Sequence, residues 1–367
     1  MSVEKFDKNL KVETSIAKED IIFFDIEDSP FQIYGVFREG EVFRRMPEAV
    51  AAKVSEAVLE LSTHGAGGRV RFITDSPYIA IKVEYGYVYR ASHIALMGSS
   101  GLDLYIDNGD GEVYERSFIP PYDVKDGYES IWEFDDIRYD NKARHDRIIN
   151  INFPLYSSVK KMYIGLKNNS VLKEAPGYRI EKPVVYYGSS ITQGGCASKP
   201  GSSYQSILSR RFHCDYINLG FSGSAKGEET MADYISSLDM SAFVMDYDHN
   251  TPSTEHLAAT HQRFFEMIRA AHPTLPIVIL PAPRFAPHTY FEERAAIVKN
   301  TYLTAKAAGD KNVYYIGADK LMSLVDNNGT VDGCHPTDSG FLSMATAIGE
   351  VFEEIFGCYK RRYAGCI

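Results

Sequence analysis

The sequence predicts an α/β protein in which an all-β sandwich precedes a parallel five-stranded sheet covered by helices. In the first half of the chain, short runs alternate apolar and polar residues without intervening helical patterns, which is typical of a β-sandwich. In the second half, short apolar runs alternate with longer helical patterns, which favours a parallel sheet. The segment "KEAPGYRIEKP" (173–183) separates the two patterns, so we expect domains at 1–176 and 177–367.

The strands predicted in the first domain are short and rich in β-branched and aromatic residues. They are "AVLELST" (57–63), "RVRFIT" (69–74), "YIAIKVEY" (78–85), "LDLYID" (102–107), "RIININF" (147–153) and "KKMYIGLK" (160–167). Turn sequences such as "THGAGG" and "NGDG" separate them. The segment "PEAVAAKVSEAV" (47–58) is an exception, because its pattern also fits a helix.

The second domain has apolar runs bounded by turn residues, and these predict buried parallel strands. They are "VVYY" (184–187), "YINL" (216–219), "AFVMDY" (242–247), "IVILPA" (277–282) and "VYYIGA" (313–318). The helices between and after them are amphipathic. In the helix before the fourth strand, the apolar face carries Leu257, His261, Phe264, Phe265 and Ile268. In the last helix, it carries Phe341, Met344, Ala345, Ile348, Phe352 and Ile355.

Composition excludes several function classes. The chain has 367 residues, 44% hydrophobic and 24% charged, with a formal net charge of −10, so we expect no nucleic-acid partner. No apolar stretch is long enough to span a bilayer, and the N-terminus has no apolar signal core. We therefore expect a cytoplasmic protein without a membrane partner, or a secreted one if a leader was removed. The five scattered cysteines favour reduced thiols over a disulfide or zinc framework.

Reactive groups in a parallel sheet lie beyond the carboxyl ends of the strands. Ser190 follows the first strand in "VVYYGSSITQGG", "DYDHN" ends the third, and Arg284 follows the fourth. A serine nucleophile needs a base and a group that orients the base. His335 in "VDGCHP" is the best candidate base, with Asp332 three residues before it. The pattern favours a Ser-His-Asp triad, although D-x-x-H alone also fits a capped turn.

The oxyanion of such a reaction needs hydrogen-bond donors. Gly223 in "INLGFSGSA" offers a backbone amide, and Asn250 offers a side-chain amide. Each has a structural alternative, because glycine eases turns and asparagine caps helices.

These blocks resemble those of the SGNH (GDSL-type) hydrolases. "GSSIT", "NLGFSG", "DYDHN" and "DGCHP" are similar to the four family blocks and cover roughly 184–336. The resemblance implies Ser190 as nucleophile, Ser190, Gly223 and Asn250 as the oxyanion hole, and Asp332 and His335 as orienting acid and base. It also implies a three-layer, flavodoxin-like α/β/α catalytic domain.

The segment "GLDLYID" (101–107) resembles the GxDLY signature of β-domains fused to SGNH esterases, which implies a jelly-roll-like N-terminal partner. Two positions depart from the family pattern. Ser189 stands where the family often has aspartate, and Thr251 follows Asn250 where an aspartate is usual. Both departures concern the surroundings of the site and its substrate preference.

Other motifs fail on specific residues. "GFSGS" lacks the final glycine of a nucleophile elbow, and "GSAKGEE" lacks the G-K-[ST] of a phosphate loop. We predict no metal at Asp246, Asp248 and His249, because strand alternation turns neighbouring side chains to opposite faces. For Cys334 a packing role is favoured over a thiol nucleophile.

The sequence thus predicts a serine esterase that needs no cofactor and removes a small acyl group, such as acetyl, from a carbohydrate. The carbohydrate rests on the resemblance alone. Arg284, His288 and Tyr290 follow the fourth strand and are candidates for substrate binding. An acyltransferase using the same residues is the nearest alternative, and an inactive carbohydrate-binding protein is the alternative of another class.

Overall fold

The structure is a computed structural model that describes residues 12, 15–107, 111–134, 146–284 and 289–358. Its N-terminal part is rich in strands. They are β1 (Ile21–Asp25), β2 (Gln32–Tyr34), β3 (Phe37–Glu39), β4 (Val42–Arg44), β5 (Arg69–Thr74), β6 (Tyr78–Tyr87), β7 (Leu102–Asp107), β8 (Glu112–Phe118), β9 (Gly127–Glu133), β10 (Arg147–Asn152), β11 (Ser158–Lys167) and β12 (Leu172–Lys173). Three short helices lie among them: α1 (Glu48–Val54), α2 (Glu56–Leu61) and α3 (Leu96–Ser100).

Two antiparallel sheets form a β-sandwich in this region. One has the strand order β1-β11-β6-β9, and the other has the order β12-β5-β10-β7-β8 with β2 paired to β5. Apolar side chains from both sheets share one core, including Phe72 and Ile149 from the second sheet and Ile81 and Ile164 from the first. The predicted antiparallel β-rich region is confirmed.

The strand predicted at 57–63 is wrong, because this segment belongs to α2. The Ser55 hydroxyl accepts a hydrogen bond from Val58 N at 3.1 Å and so caps a new helix directly after α1. Val58 is fully buried, and Leu61, three residues later, is partly buried, which is helical spacing. The apparent alternation in "AVLELST" is therefore the face of a helix.

The second region has five parallel strands, as predicted, and their order is β14-β13-β15-β16-β17. They are β13 (Ile180–Gly188), β14 (Cys214–Gly220), β15 (Ala242–Asp246), β16 (Ile277–Ile279) and β17 (Val313–Tyr315). This is the 2-1-3-4-5 order of doubly wound flavodoxin-like folds, which place ligand sites at the point where the strand order reverses. Here that point is next to β13.

Helices cover both faces of the parallel sheet. They are α4 (Ser190–Gln193), α5 (Tyr204–Phe212), α6 (Glu229–Ser236), α7 (Thr254–Ala271), α8 (Thr289–Ala307), α9 (Ala318–Leu321) and α10 (Asp338–Phe356). Residues of α5 and α10 pack with Val184 and Tyr186, whereas residues of α6, α7 and α8 pack with Val185 and Tyr187. Because neighbouring strand residues point to opposite faces, these two cores define a three-layer α/β/α arrangement.

Arg45 and Asp103 join the β-rich region to the parallel sheet. Arg45 is buried, and its Nη1 donates to the carbonyl oxygens of Asn218 at 2.9 Å and Gly220 at 2.6 Å. Asp103, from the "GLDLY" signature, accepts from Asn152 Nδ2 at 2.8 Å and from Gly201 N at 2.7 Å. The signature aspartate therefore connects its own sheet to the segment that leads into α5.

No helix in the described ranges combines the length and the apolar character that crossing a membrane requires. The cysteines that the structure describes, Cys196, Cys214, Cys334 and Cys358, are all free thiols.

Asp103→Ala should destabilise the protein, because it leaves the Asn152 amide and the Gly201 N–H buried without an acceptor. Each such donor costs about 1–3 kcal/mol. Urea unfolding measures the loss, and the exposed Asp123→Ala in the same region is the control, with an expected change within about 0.5 kcal/mol. Equal midpoints for the two variants would show that Asp103 does not stabilise this contact.

Candidate active site

Three neighbouring strands end in one row and bring the candidate residues together. Gly188 at the end of β13 pairs with Gly220 on β14 and with Asp246 on β15. Ser190 lies two residues beyond its strand, Gly223 three, and Asn250 four. The site therefore lies at the carboxyl edge of the sheet, where the strand order reverses.

A tight turn presents Ser190 at the start of α4. The Ser189 hydroxyl caps this helix by accepting from Ile191 N at 3.1 Å. A Cβ on Gly188 would lie 2.3 Å from the Asp246 carbonyl oxygen, so the strand end tolerates only glycine. Serine thus replaces the aspartate of the family block as a helix cap, which it does equally well.

His335 lies between Ser190 and Asp332. Its Nε2 is 2.8 Å from Ser190 Oγ, and its Nδ1 is 2.8 Å from Asp332 Oδ2. Because an ionised carboxylate only accepts, Nδ1 carries the proton and Nε2 offers its lone pair to the serine hydroxyl. The three side chains form one continuous relay, which is the arrangement that a general base requires.

The Asp332 carboxylate is held by backbone donors as well. Its Oδ1 accepts from the N–H groups of Cys334 at 3.0 Å and His335 at 2.8 Å. Burial alone would raise the pKa of Asp332, but these bonds and the His335 ring lower it to about 2. Asp332 is therefore ionised throughout the neutral range.

The environment also changes the titration of His335. Hydrogen bonding to Cys334 raises the pKa of His335, burial opposes the rise, and Asp332 adds to it. The net direction is upward from the ordinary value of about 6.5.

Cys334, for which the sequence favoured a packing role, instead makes a polar contact. Its Sγ lies 2.9 Å from His249 Nε2. Burial would raise the pKa of Cys334, but hydrogen bonds with His249 and His335 lower it to about 6. The thiol is thus partnered by a histidine outside the relay.

Gly223 has the surroundings of a hydrogen-bond donor, and Asn250 does not cap the helix that follows it. Gly223 adopts φ +68°, and a Cβ there would meet nothing within 4 Å, so its backbone borders open space. In the described part of the chain, no acceptor bonds the N–H of Ser190 or of Gly223. Asn250 ends a 3-10 helix (Asp248–Asn250), and Ser253, not Asn250, caps α7 by accepting from His256 N at 3.2 Å. The helix-cap alternative for Asn250 is therefore wrong.

The three candidates for substrate binding differ in what the structure describes. Arg284 lies with its guanidinium carbon 3.5 Å from the Phe291 ring centroid, and its Nη1 is 3.4 Å from the Gly333 carbonyl oxygen. It therefore flanks the loop that carries His335. His288 lies outside the described residues. Tyr290 belongs to α8, but its side chain is not among the described ones.

The proposed alternative metal ligands have other partners. Asp246 accepts from Thr192 Oγ1 at 2.9 Å and from Tyr204 at 3.1 Å, and Asp248 accepts from Ala282 N at 3.0 Å. With the His249–Cys334 contact, each of the three side chains therefore has a hydrogen-bond partner of its own.

Sequence reasoning missed the residues that support the relay from the β-rich region. Gln193 donates to the Leu155 carbonyl at 3.2 Å and contacts His64 Nδ1 at 3.0 Å, while Tyr156 donates to the Ser190 carbonyl at 3.3 Å. The His93 ring also lies near, 5.7 Å from the His335 ring, but it is not one of these supports. Only Gln193 carried a signal, as a polar residue inside the nucleophile block.

Comparisons with known proteins agree with this geometry. Residues 181–353 match the GDSL-like lipase/acylhydrolase family, and residues 21–172 match the N-terminal GxDLY domain of SGNH-hydrolase-type esterases. The chain belongs to the SGNH (GDSL-type) hydrolases. It is therefore an esterase-type enzyme of that family, with a GxDLY region before the hydrolase region. No curated protein matches the chain.

Solved structures of similar SGNH hydrolases cover nearly the whole chain. A protein described as a GDSL-like lipase, from Bacteroides ovatus, is 27% identical with a TM-score of 0.82, covering 93% of this chain and 99% of that one. The salicylyl-acyltransferase SsfX3 from a tetracycline biosynthetic pathway is 17% identical with a TM-score of 0.73, covering 93% and 100%. An acetyl xylan esterase from Butyrivibrio proteoclasticus is 12% identical with a TM-score of 0.57, covering 93% and 100%. The last two share the fold.

His335 should titrate above the ordinary histidine value of about 6.5, because Cys334 and Asp332 stabilise its protonated form. Asp332→Asn should lower this pKa. NMR of histidine-labelled protein measures both, and His64 and His261 are internal controls, since burial lowers their pKa to about 3 and keeps them neutral. A His335 pKa at or below the ordinary value contradicts the assigned contacts.

Proposed function

We propose that this SGNH hydrolase cleaves a small acyl ester through Ser190, His335 and Asp332. The observation that carries the proposal is the unbroken relay, with 2.8 Å between Ser190 and His335 and 2.8 Å between His335 and Asp332. A serine hydroxyl becomes a competent nucleophile only when a positioned base removes its proton. Both distances suit that transfer.

In this reaction Ser190 Oγ attacks the ester carbonyl while His335 Nε2 takes the hydroxyl proton. His335 then gives the proton to the departing alcohol, leaving an acyl group on Ser190. Water, deprotonated by the same nitrogen, then attacks the acyl carbonyl, the bond to Ser190 Oγ breaks to release the acid, and His335 returns the proton to Ser190 Oγ. Asp332 keeps the ring in the correct tautomer and stabilises the imidazolium. No cofactor takes part in these steps.

The developing oxyanion would be held by the N–H groups of Ser190 and Gly223 and by the Asn250 side chain. The support is their common origin at the edge of three adjacent strands and the unengaged state of both N–H groups. Preorganised donors of this kind are usually the largest single contribution to acyl-transfer catalysis.

We propose acetyl as the acyl group and a carbohydrate as the alcohol. The support is the shared fold with an acetyl xylan esterase. The net charge of −10 disfavours polyanionic substrates. A panel of acetylated sugars, with acetate release as the readout, tests this; turnover of aryl acetates without any turnover of acetylated sugars would rule out the carbohydrate.

A second candidate is transfer of the acyl group to an alcohol other than water. It is favoured by the likeness to the salicylyl-acyltransferase, whose TM-score of 0.73 exceeds that of the acetyl xylan esterase. Product ratios measured with and without a sugar acceptor separate the two reactions. A p-nitrophenyl acetate assay distinguishes both from a carbohydrate-binding protein without activity.

Ser190→Ala should abolish labelling by a fluorophosphonate probe and nearly all esterase activity. Removing the nucleophile of a triad costs on the order of 10⁶ in kcat. Ser189→Ala is the matched control, because it removes only the cap of α4 and should cost about 1 kcal/mol of stability.

Cys334→Ser is the second control and should keep fluorophosphonate labelling. Mass spectrometry of the labelled peptide identifies the modified residue. A label on Ser189 or Ser222, or full activity in Ser190→Ala, would refute the assignment.

Asn250→Ala should lower kcat by about 10²–10³, with little change in KM, because its donor acts on a charge that exists only during the reaction. Thermal stability should stay near that of the parent, since Ser253 caps α7.

Asn250→Asp should be more damaging than Asn250→Ala, because it places a carboxylate beside the oxyanion. Ser253→Ala is the reciprocal control and should lose about 1 kcal/mol of stability with little loss of rate. Steady-state kinetics and thermal melts separate the two positions, and an active Asn250→Asp would exclude Asn250 from the oxyanion hole.

A further inference from the structure

Two side chains that the reaction does not use lie next to His335. His93 comes from the loop between β6 and α3, and Cys196 follows α4. One ligand atom from each of His93, Cys196 and His335 lies within 4.8 Å of the other two. Three separate chain segments thus bring two imidazoles and one thiol to one point.

His93 and Cys196 have no other polar partner among the residues that the structure describes. Within the described residues, neither the His93 ring nor the Cys196 thiol makes a hydrogen bond. Cys196 is only 7% exposed and adopts φ +73°, a left-handed conformation that is uncommon for a residue other than glycine. His93, by contrast, is exposed and gives the cluster access to solvent.

A second group around His335 consists of Asp332 and Cys334. Its donors are already engaged, because Asp332 bonds the His335 ring and Cys334 contacts His249 at 2.9 Å. A ligand that used them would have to break both contacts. A cation at the group with His93 and Cys196 displaces one contact, the 2.8 Å hydrogen bond between Ser190 Oγ and His335 Nε2.

The donor set selects the kind of ligand. One thiolate and two imidazoles suit Zn²⁺ and other thiophilic divalent cations, whereas Mg²⁺ and Ca²⁺ prefer oxygen. Asp332 holds the proton of His335 on Nδ1, so the lone pair of Nε2, which otherwise accepts from Ser190 Oγ, can bond a cation. A carboxylate behind a histidine is the usual support of a metal-binding imidazole.

We propose that a thiophilic divalent cation such as Zn²⁺ binds His93, Cys196 and His335 and reversibly inhibits the enzyme. The ligand atoms must approach to about 3.3–3.6 Å, the spacing set by zinc–nitrogen and zinc–sulfur bonds. The Cys196 thiol releases its proton to solvent on binding. The lone pair of His335 then bonds the cation and no longer accepts the Ser190 proton.

Inhibition rests on the proposed role of His335, but binding does not. The test therefore measures the two separately, with Co²⁺ as the spectroscopic probe of binding and Zn²⁺ as the inhibitor. Co²⁺ bound to a thiolate gives a charge-transfer absorption, so the reduced protein should show this band. Cys196→Ser and Cys196→Ala should lose it, while His93→Ala should weaken Co²⁺ affinity by about tenfold or more.

Cys334→Ser and Cys214→Ser are the matched thiol controls and should keep the band. In the kinetic arm, His93→Ala and Cys196→Ser should hydrolyse p-nitrophenyl acetate at the parent rate without metal. For half-inhibition, both variants should need a Zn²⁺ concentration about tenfold or more above that of the parent protein. Mg²⁺ should not inhibit the parent protein.

The outcomes distinguish the two proposals. A cobalt band without any esterase activity would keep the metal site and overturn the esterase. An active esterase without a band would overturn the metal site, as would a band lost in Cys334→Ser and kept in Cys196→Ser. Equal Zn²⁺ inhibition of parent and variants would place the inhibitory cation elsewhere. Because His93 is exposed, His93→Ala decides the matter even if the Cys196 variants fail to fold.

Discussion

The buried amide of Gln193 connects the nucleophile turn to the loop with Gly223 and to the β-rich region. Its nitrogen donates to the Leu155 carbonyl at 3.2 Å and contacts His64 Nδ1 at 3.0 Å, and its oxygen accepts from Ser222 N at 3.0 Å. Burial lowers the pKa of His64 to about 3, with the charge of Arg45 adding to the effect. His64 is therefore a neutral acceptor, which fixes the orientation of the amide. The nucleophile turn, the loop with Gly223 and the β-rich region are held by this one side chain.

Charge is distributed unevenly around the relay. The pKa of Asp332 is lowered, whereas the pKa of its partner His335 is raised. The two groups therefore titrate in different pH ranges. Beneath them, burial raises the pKa of Asp246 to about 7, even though hydroxyl groups of Thr192 and Tyr204 lower it. This second carboxyl is therefore only partly ionised near neutral pH, whereas Asp332 is ionised. The polar residues below the sheet edge therefore serve alignment and the exposed loop carries the charge.

The pattern of neighbouring residues predicted the parallel sheet and the four family sequence blocks. Buried strands, turn glycines and helix faces all depend on residues that are close together in the chain. This pattern failed at α2, where period-two alternation and a helical face coincide over six residues and only the Ser55 cap decides. The residues that support the Ser190–His335–Asp332 relay could not be predicted in this way. His64 and Tyr156 lie far from Ser190 in the chain, and their meeting depends on how the β-rich region packs. For Asn250 the sequence left two roles open, oxyanion donor and helix cap. The structure excludes the cap, because Ser253 caps α7.

The segment with helices α1 and α2 affects how the protein unfolds. Met46, Ala51 and Val58 belong to the same apolar core as Val185 and Tyr187 of the parallel sheet. The N-terminal segment thus completes a layer of the second region while its flanking strands belong to the first. Unfolding of either region would expose apolar side chains of the other to water. The two regions should therefore unfold cooperatively. Calorimetry should record a single heat-absorption peak, and proteolytic nicking between the regions should not liberate two stable fragments.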